Sequence, residues 1–262
     1  MISKMKKTVS ILLLSIILLT GMTAYAAPPK YDTSSFERID VDCIFSVGPN
    51  CRACHNLARN GMRPFAAPLD YIGYPGLNEG FPQYSLATVN HLYETHFKDF
   101  FENAQVIPNK FGLKFRWVRD TKNNIYSIHH FNRNNPMYIE QSNFRKTMIE
   151  RAKRQEDAFR RANSIGLITN RKNASVNEIS AFVTRFSKLY PNKKVTLINM
   201  VHKEMSGMQQ KTIFKNGDLK VVQFTFDDRL PKTDEFKNIE EWEGNVFAWE
   251  AALSCVHLNK AK

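Results

Sequence analysis

Between Ile139 and Val256 apolar runs of strand length alternate with amphipathic helical segments, and this alternation constrains the fold more than any other feature of the chain. Ile139 to Ala162 reads as a long helix, Ile165 to Thr169 as a strand, Val176 to Tyr190 as a helix. Lys194 to Val201 and Leu219 to Phe226 read as strands, and Ile239 to Val256 as a closing helix. Ser175 followed by Glu178 spells a capping box at the start of the middle helix. Strands that alternate with helices predict an α/β fold with a largely parallel central sheet, flanked by helices in three layers. Upstream, Phe111 to Val118 and Ile125 to Phe131 predict two strands joined by a turn at Asp120 to Asn124, a short β-hairpin insertion. Leu86 to Phe101 has helical spacing, Pro64 to Pro82 reads as a long ordered loop, and Tyr31 to Asp40 as irregular.

The first 26 residues read as a secretory signal peptide. Lys4, Lys6 and Lys7 precede an apolar run from Val9 to Leu19, and Ala24-Tyr25-Ala26 supplies a small-x-small cleavage site. The run is shorter than the about 20 residues of a membrane-crossing helix, so no stable membrane insertion is expected after cleavage. The mature chain, 27–262, is expected to be one domain, exported to a periplasm or secreted. The net charge of +12 admits an anionic partner, but the basic residues are dispersed. The densest stretch, Arg145 to Arg161, is interleaved with Glu150, Glu156 and Asp157, the pattern of a solvated helix face, so no nucleic-acid partner is expected.

Export places Cys43, Cys51, Cys54 and Cys255 in an oxidising compartment, where three full disulfide pairings are open. Asp42 to Gly48 reads as a buried strand ending in glycine, Pro49-Asn50 as a turn, and Cys51 to Asn60 as a helix stopped by Gly61. Cys51 thus opens a helix, where unsatisfied N–H groups and the helix dipole lower a thiol pKa and can hold an oxyanion. Cys51-Arg52-Ala53-Cys54-His55 is also the C-x-x-C-H attachment signature of c-type haem, with Met62 or Met137 available as a distal ligand. The several apolar strands speak against a small cytochrome, and no cofactor is expected. Asp227-Asp228 and Glu240-Glu241 lack partners at a metal-ligand spacing, so no metal is expected either.

The run Ile44 to Arg52, then Leu57, Arg59 to Phe65 and Pro68 to Ile72, resembles the opening of a bacterial domain-of-unknown-function family described as papain-like cysteine peptidases. Later landmarks follow in order: His130-Phe131 after a strand, an arginine-rich helix, strands around Leu167 and Leu197, and Trp242-x-Gly244-Asn245 leading to Trp249. Tyr71 stands where that family has tryptophan. The resemblance implies a cysteine peptidase-like hydrolase with Cys51 as nucleophile, His130 (or His129) as base and Asp70 orienting the imidazole. Arg63 would bind a carboxylate or phosphate of the substrate, and Asn50 would assist it. The order Cys, Asp, His departs from the Cys, His, Asn order of papain. The residues leave other readings open: Asp70 capping a turn or pairing with Arg63, and His130 as a satisfied structural histidine. Three functions are therefore carried forward. They are a cysteine-dependent hydrolase or acyl transferase acting on peptides or cell-envelope material, a carbohydrate- or ligand-binding α/β protein with structural cysteines, and a c-type haem protein.

Overall fold

A computed structural model describes residues 31–73, 83–108, 114–230 and 239–259; the signal-peptide reading lies outside them. The chain runs β1 (Ile39–Val41), β2 (Cys43–Ser46), α1 (Cys51–Arg59), α2 (Leu86–Glu94), β3 (Ala104–Ile107), β4 (Phe115–Asp120), β5 (Ile125–Asn132), α3 (Met137–Arg161) and β6 (Ser164–Thr169). It continues with α4 (Val176–Ser187), β7 (Lys194–His202), β8 (Met208–Asn216), β9 (Leu219–Phe226), a 3-10 turn at Glu241–Glu243, α5 (Val246–Ser254) and β10 (Val256–Leu258). The fold is mixed α/β. Its main sheet has the order β2-β6-β7-β9-β8, with every pairing parallel except β8–β9.

Successive strand residues point to opposite faces of a sheet, and the apolar side chains sort accordingly. Phe45, Leu167, Leu197 and Val221 join one core with Phe144, Met148 and Phe159 of α3 and Phe182 and Phe186 of α4. Ile44, Ile168, Ile198 and Val222, their immediate neighbours, join a second core with Ala53 and Leu57 of α1 and Ala248, Trp249 and Leu253 of α5. Burial on both faces is what makes β6 (SIGLIT) fully buried and unbroken by charge. The capping box at Ser175 and Glu178 is formed in full.

Several elements differ from the sequence-based expectation. The helix from Leu86 stops at Glu94, because His96, Phe97 and Phe101 take positive φ angles of 52°, 58° and 52° in a run of turns that buries Phe97, Phe100 and Phe101. The expected closing helix from Ile239 to Val256 is reduced to α5, since Gly244 at φ 77° breaks the chain ahead of the Asn245 cap. Val256 turns instead into β10, which pairs in parallel with β1, so Ile39 to Val41 is a strand within the segment read as irregular. β8 went unread because charged and polar residues occupy most of its positions; it is one of the two edge strands of the sheet and faces water widely. The expected hairpin is present as β4–β5, extended by β3 into a three-stranded antiparallel sheet; residues 111–113 of its expected first strand lie outside the described residues.

Candidate functional site

β2 ends at Ser46, and a turn through Gly48 (φ 76°) and a cis Gly48–Pro49 bond delivers the chain to α1. Gly48 is required: a Cβ there would lie 1.7 Å from Tyr84 Oη. Its carbonyl accepts a 2.6 Å hydrogen bond from Thr169 Oγ1 at the end of β6. The turn is covered by residues 70–73, for a Cβ on Gly73 would come within 2.4 Å of the Pro49 carbonyl oxygen. Cys51 is the first residue of α1, at the carboxyl end of a parallel strand. Asn50 is the N-cap, and its Oδ1 accepts from the Arg52 N–H at 3.0 Å, so this side chain holds the helix end.

Cys51 is partly buried, and burial raises its thiol pKa, with its own N–H and Arg52 working the other way. The expected lowering at a helix N-terminus is thus overridden by desolvation. Cys54, one turn on, is fully buried and donates to the Cys51 carbonyl at 3.1 Å. Burial raises its pKa first and the Asp70 charge second, while the Tyr71 N–H opposes them. All four cysteines are free thiols.

Asp70 is 1 % exposed, accepts from the Ala67 N–H at 2.9 Å, and meets Arg63 Nη1 at 3.4 Å. Burial pushes its pKa up to about 6, against the Ala67 hydrogen bond and the charges of Arg63 and Arg151. His130 lies on β5 with Nδ1 2.8 Å from Ser127 Oγ and its ring 5.1 Å from that of Phe144. Burial pushes its pKa down to about 4, helped by Arg151 and His129. His129 is the more exposed of the two, and the partial burial of its ring lowers its pKa as well.

The sequence-predicted residues therefore fall into two groups. Cys51, Asn50, Asp70 and Arg63 share the neighbourhood of the turn and α1. His130 stands on the antiparallel sheet, linked to Asp70 through the field of Arg151, which acts on both. The Asp70 carboxylate is held by Arg63 and Ala67, and His130 Nδ1 by Ser127, so a Cys–His–Asp hydrogen-bond chain is not formed. Both bland readings of Asp70, turn cap and partner of Arg63, describe contacts that are present.

Sequence reasoning passed over Arg151 and Arg154, taken as part of a solvated helix face. Arg154 lies over the ring of Phe65 at 5.3 Å, and Phe65 packs on Phe45 of β2. It also passed over Arg52, whose Nη1 pairs with buried Asp228 and whose Nε donates to the Trp242 carbonyl at 2.9 Å. Beneath the turn, Arg171 donates to the Tyr84 carbonyl at 2.6 Å, while Arg171 Nε and Nη2, Tyr84 Oη and Asn170 Oδ1 are buried with no hydrogen-bond partner among the described residues.

The C-x-x-C-H residues do not fit a haem. Cys54 is closed off inside α1's packing, His55 Nε2 is 3.1 Å from Glu243 Oε2, and the His55 ring lies edge-on to Trp242 at 4.8 Å. Among the described residues no group of three or more His, Cys, Asp or Glu is arranged to hold a metal ion, and no helix is long and apolar enough to cross a membrane. The chain matches no protein-family model, and no curated protein or solved structure shows significant similarity to it.

Proposed function

We propose that the chain is an exported cysteine-dependent hydrolase or acyl transferase with Cys51 as nucleophile. The observation that carries this reading is the position of Cys51: first residue of a helix, at the carboxyl end of a parallel strand, behind a turn built from Gly48, Pro49 and Asn50. Ligands of open α/β sheets bind at this edge, and first-turn N–H groups of a helix stabilise an oxyanion. The same reading takes the main sheet as the middle of three layers, which the two cores on its faces support.

In the proposed reaction the Cys51 thiol passes its proton to a neutral imidazole, that of His130, and sulfur attacks a carbonyl carbon. The carbon–sulfur bond forms, and the leaving group departs with the proton returned by the imidazolium. Water or another acceptor then cleaves the thioester and restores the thiol. A His130 pKa of about 4 keeps that imidazole neutral at pH 7, and substrate must draw the two groups together. The natural substrates of an exported enzyme of this kind are peptides or acylated cell-envelope material, with no nucleic acid involved. The likeness of the N-terminal block to the domain-of-unknown-function family described as papain-like cysteine peptidases supports the choice of Cys51.

The raised thiol pKa of Cys51 favours a second reading, a ligand-binding α/β protein with structural cysteines. Turnover of p-nitrophenyl esters and thioesters by the mature protein separates the two. Cys51→Ser is expected to lower turnover by at least 10³-fold, on the order of the loss when a catalytic nucleophile is removed, while Cys54→Ser retains it. Equal turnover by Cys51→Ser and the parent overturns the hydrolase.

A further inference from the structure

Arg63 and Arg151, from two segments of the chain, act on the Asp70 carboxylate, and Arg154 stands one helical turn from Arg151. Arg63 follows α1 and meets Asp70 at 3.4 Å; its guanidinium also lies over the Tyr71 ring at 5.6 Å. Arg154, on α3, lies over Phe65, two residues beyond Arg63. Arg151 precedes it by one helical turn, so the two guanidinia are i,i+3 neighbours of like charge, an arrangement that destabilises an isolated helix. Among the described residues neither Arg151 nor Arg154 has a hydrogen bond or ion pair, although Arg151 is half-buried. Burial lowers the Arg151 pKa, Asp70 opposes this, and Arg154 and Arg63 lower it further. Arg63 and Arg151 bring two positive charges to one buried carboxylate, and the exposed Arg154 adds a third beside Arg151.

The cluster adjoins the candidate nucleophile. Gly73, three residues beyond Asp70, packs on Pro49 and Asn50, and the Tyr71 N–H reaches Cys54. The rings of Tyr71 and Phe65 hold Arg63 and Arg154 in place, as cation–π contacts orient a guanidinium without neutralising it. Guanidinium groups in such an array match the geometry of a planar or tetrahedral oxyanion.

We propose that Arg63, Arg151 and Arg154 form a recognition site for an oxyanion, a carboxylate or phosphate, carried by the molecule that approaches Cys51. The inference rests on the reading that substrate reaches Cys51, and it adds the class of that substrate: an anionic one. Asp70 positions Arg63 and makes the site selective for a group that two further arginines can hold.

Alkylation with a charged and a neutral reagent tests it. Iodoacetate and iodoacetamide each replace iodide by the Cys51 sulfur, and trypsin cuts after Arg52, so the labels on Cys51 and Cys54 fall in separate peptides. On the full mature protein at matched ionic strength, the iodoacetate-to-iodoacetamide rate ratio at Cys51 is expected to exceed that of free cysteine by on the order of tenfold. Arg151→Gln and Arg154→Gln are expected to lower the ratio, and millimolar phosphate to slow iodoacetate selectively; Lys211→Gln, exposed on the far edge strand, serves as the charge control. A ratio equal to that of free cysteine and insensitive to Arg151→Gln overturns the oxyanion site while leaving Cys51 reactive. Should neither reagent label Cys51, the nucleophile reading fails, and melting in phosphate, acetate and chloride decides the site by itself. A Tm rise in phosphate or acetate beyond chloride, lost in Arg151→Gln, supports it and tells the two oxyanions apart, whereas equal Tm in all three overturns it.

Discussion

Asp70 and His130 titrate in opposite senses, and their contributions to stability oppose each other over nearly the same range. The Asp70 carboxyl has a folded pKa of about 6 against an ordinary 3.8. The native state therefore holds its proton longer, and this residue's contribution falls as pH rises from about 4 to about 6. His130 has a folded pKa of about 4 against 6.5, so the native state binds fewer protons, and its contribution rises across pH 4 to 6.5. Each slope is exposed by removing the other. Asp70→Asn, which keeps an acceptor for the Ala67 N–H, is expected to leave a Tm that climbs more steeply than the parent's between pH 4 and 6.5. His130→Gln is expected to leave one that climbs less, or falls. Parallel Tm profiles for the parent and both variants contradict the burial assigned to these groups.

Helix α1 owes its placement to residues nearly two hundred positions away. Arg52 pairs with Asp228, Asn56 Nδ2 donates to the Glu243 carbonyl at 3.1 Å, and His55 meets Glu243. Asp228 also accepts from the Asn245 N–H at 3.1 Å and from Trp249 Nε1 at 2.9 Å, tying α1 to α5 through one carboxylate. Gly244 is the fitted piece: its φ is 77°, and a Cβ would fall 2.4 Å from Asp228 Oδ1 and 3.0 Å from Arg52 Cζ. Asp228→Ala removes the buried carboxylate that faces the Arg52 guanidinium and is expected to destabilise the protein by about 3–5 kcal/mol, read as a lower urea midpoint. Gly244→Ala acts on the same contact and is expected to be less than additive with it. A loss under 1 kcal/mol in Asp228→Ala, on the order of an exposed pair, contradicts a buried bridge.

Among the described residues two apolar cores share the strands of the main sheet. Phe159 sits in the first, edge-to-face with Phe45 at 5.4 Å and Phe186 at 5.5 Å; Trp249 sits in the second, against Phe226 at 6.2 Å. Truncating either aromatic leaves a cavity and is expected to cost about 3–5 kcal/mol. Because neighbouring residues of each strand belong to different cores, both losses are expected to shift one cooperative urea transition, with an unchanged slope. Two separable transitions in Phe159→Ala contradict the shared sheet.

Period and capping were legible in the residues themselves. The apolar runs at 165–169, 194–201 and 219–226, the Ser175–Glu178 box and the turn before Cys51 are local patterns, and the mostly parallel main sheet, the start of α4 and the helical position of Cys51 follow from them. The candidate site was legible as a list, Cys51, Asn50, Arg63, Asp70 and His130, with the Arg63–Asp70 pairing open as one reading and the partners of the others unread. Strand β8 was hidden because an edge strand carries no apolar alternation, and the long helices at 86–101 and 239–256 were overread because left-handed residues and tertiary packing overrule helical spacing. The sequence by itself determined strands β2, β6, β7 and β9, the start of α4 and that Cys51 opens a helix, since these depend on neighbours a few residues apart. Only the tertiary structure decided that burial raises the Cys51 thiol, that Asp70 faces Arg63 while His130 faces Ser127, and that Arg151 and Arg154 join them. Desolvation and charge act through space, between side chains that the chain order keeps far apart.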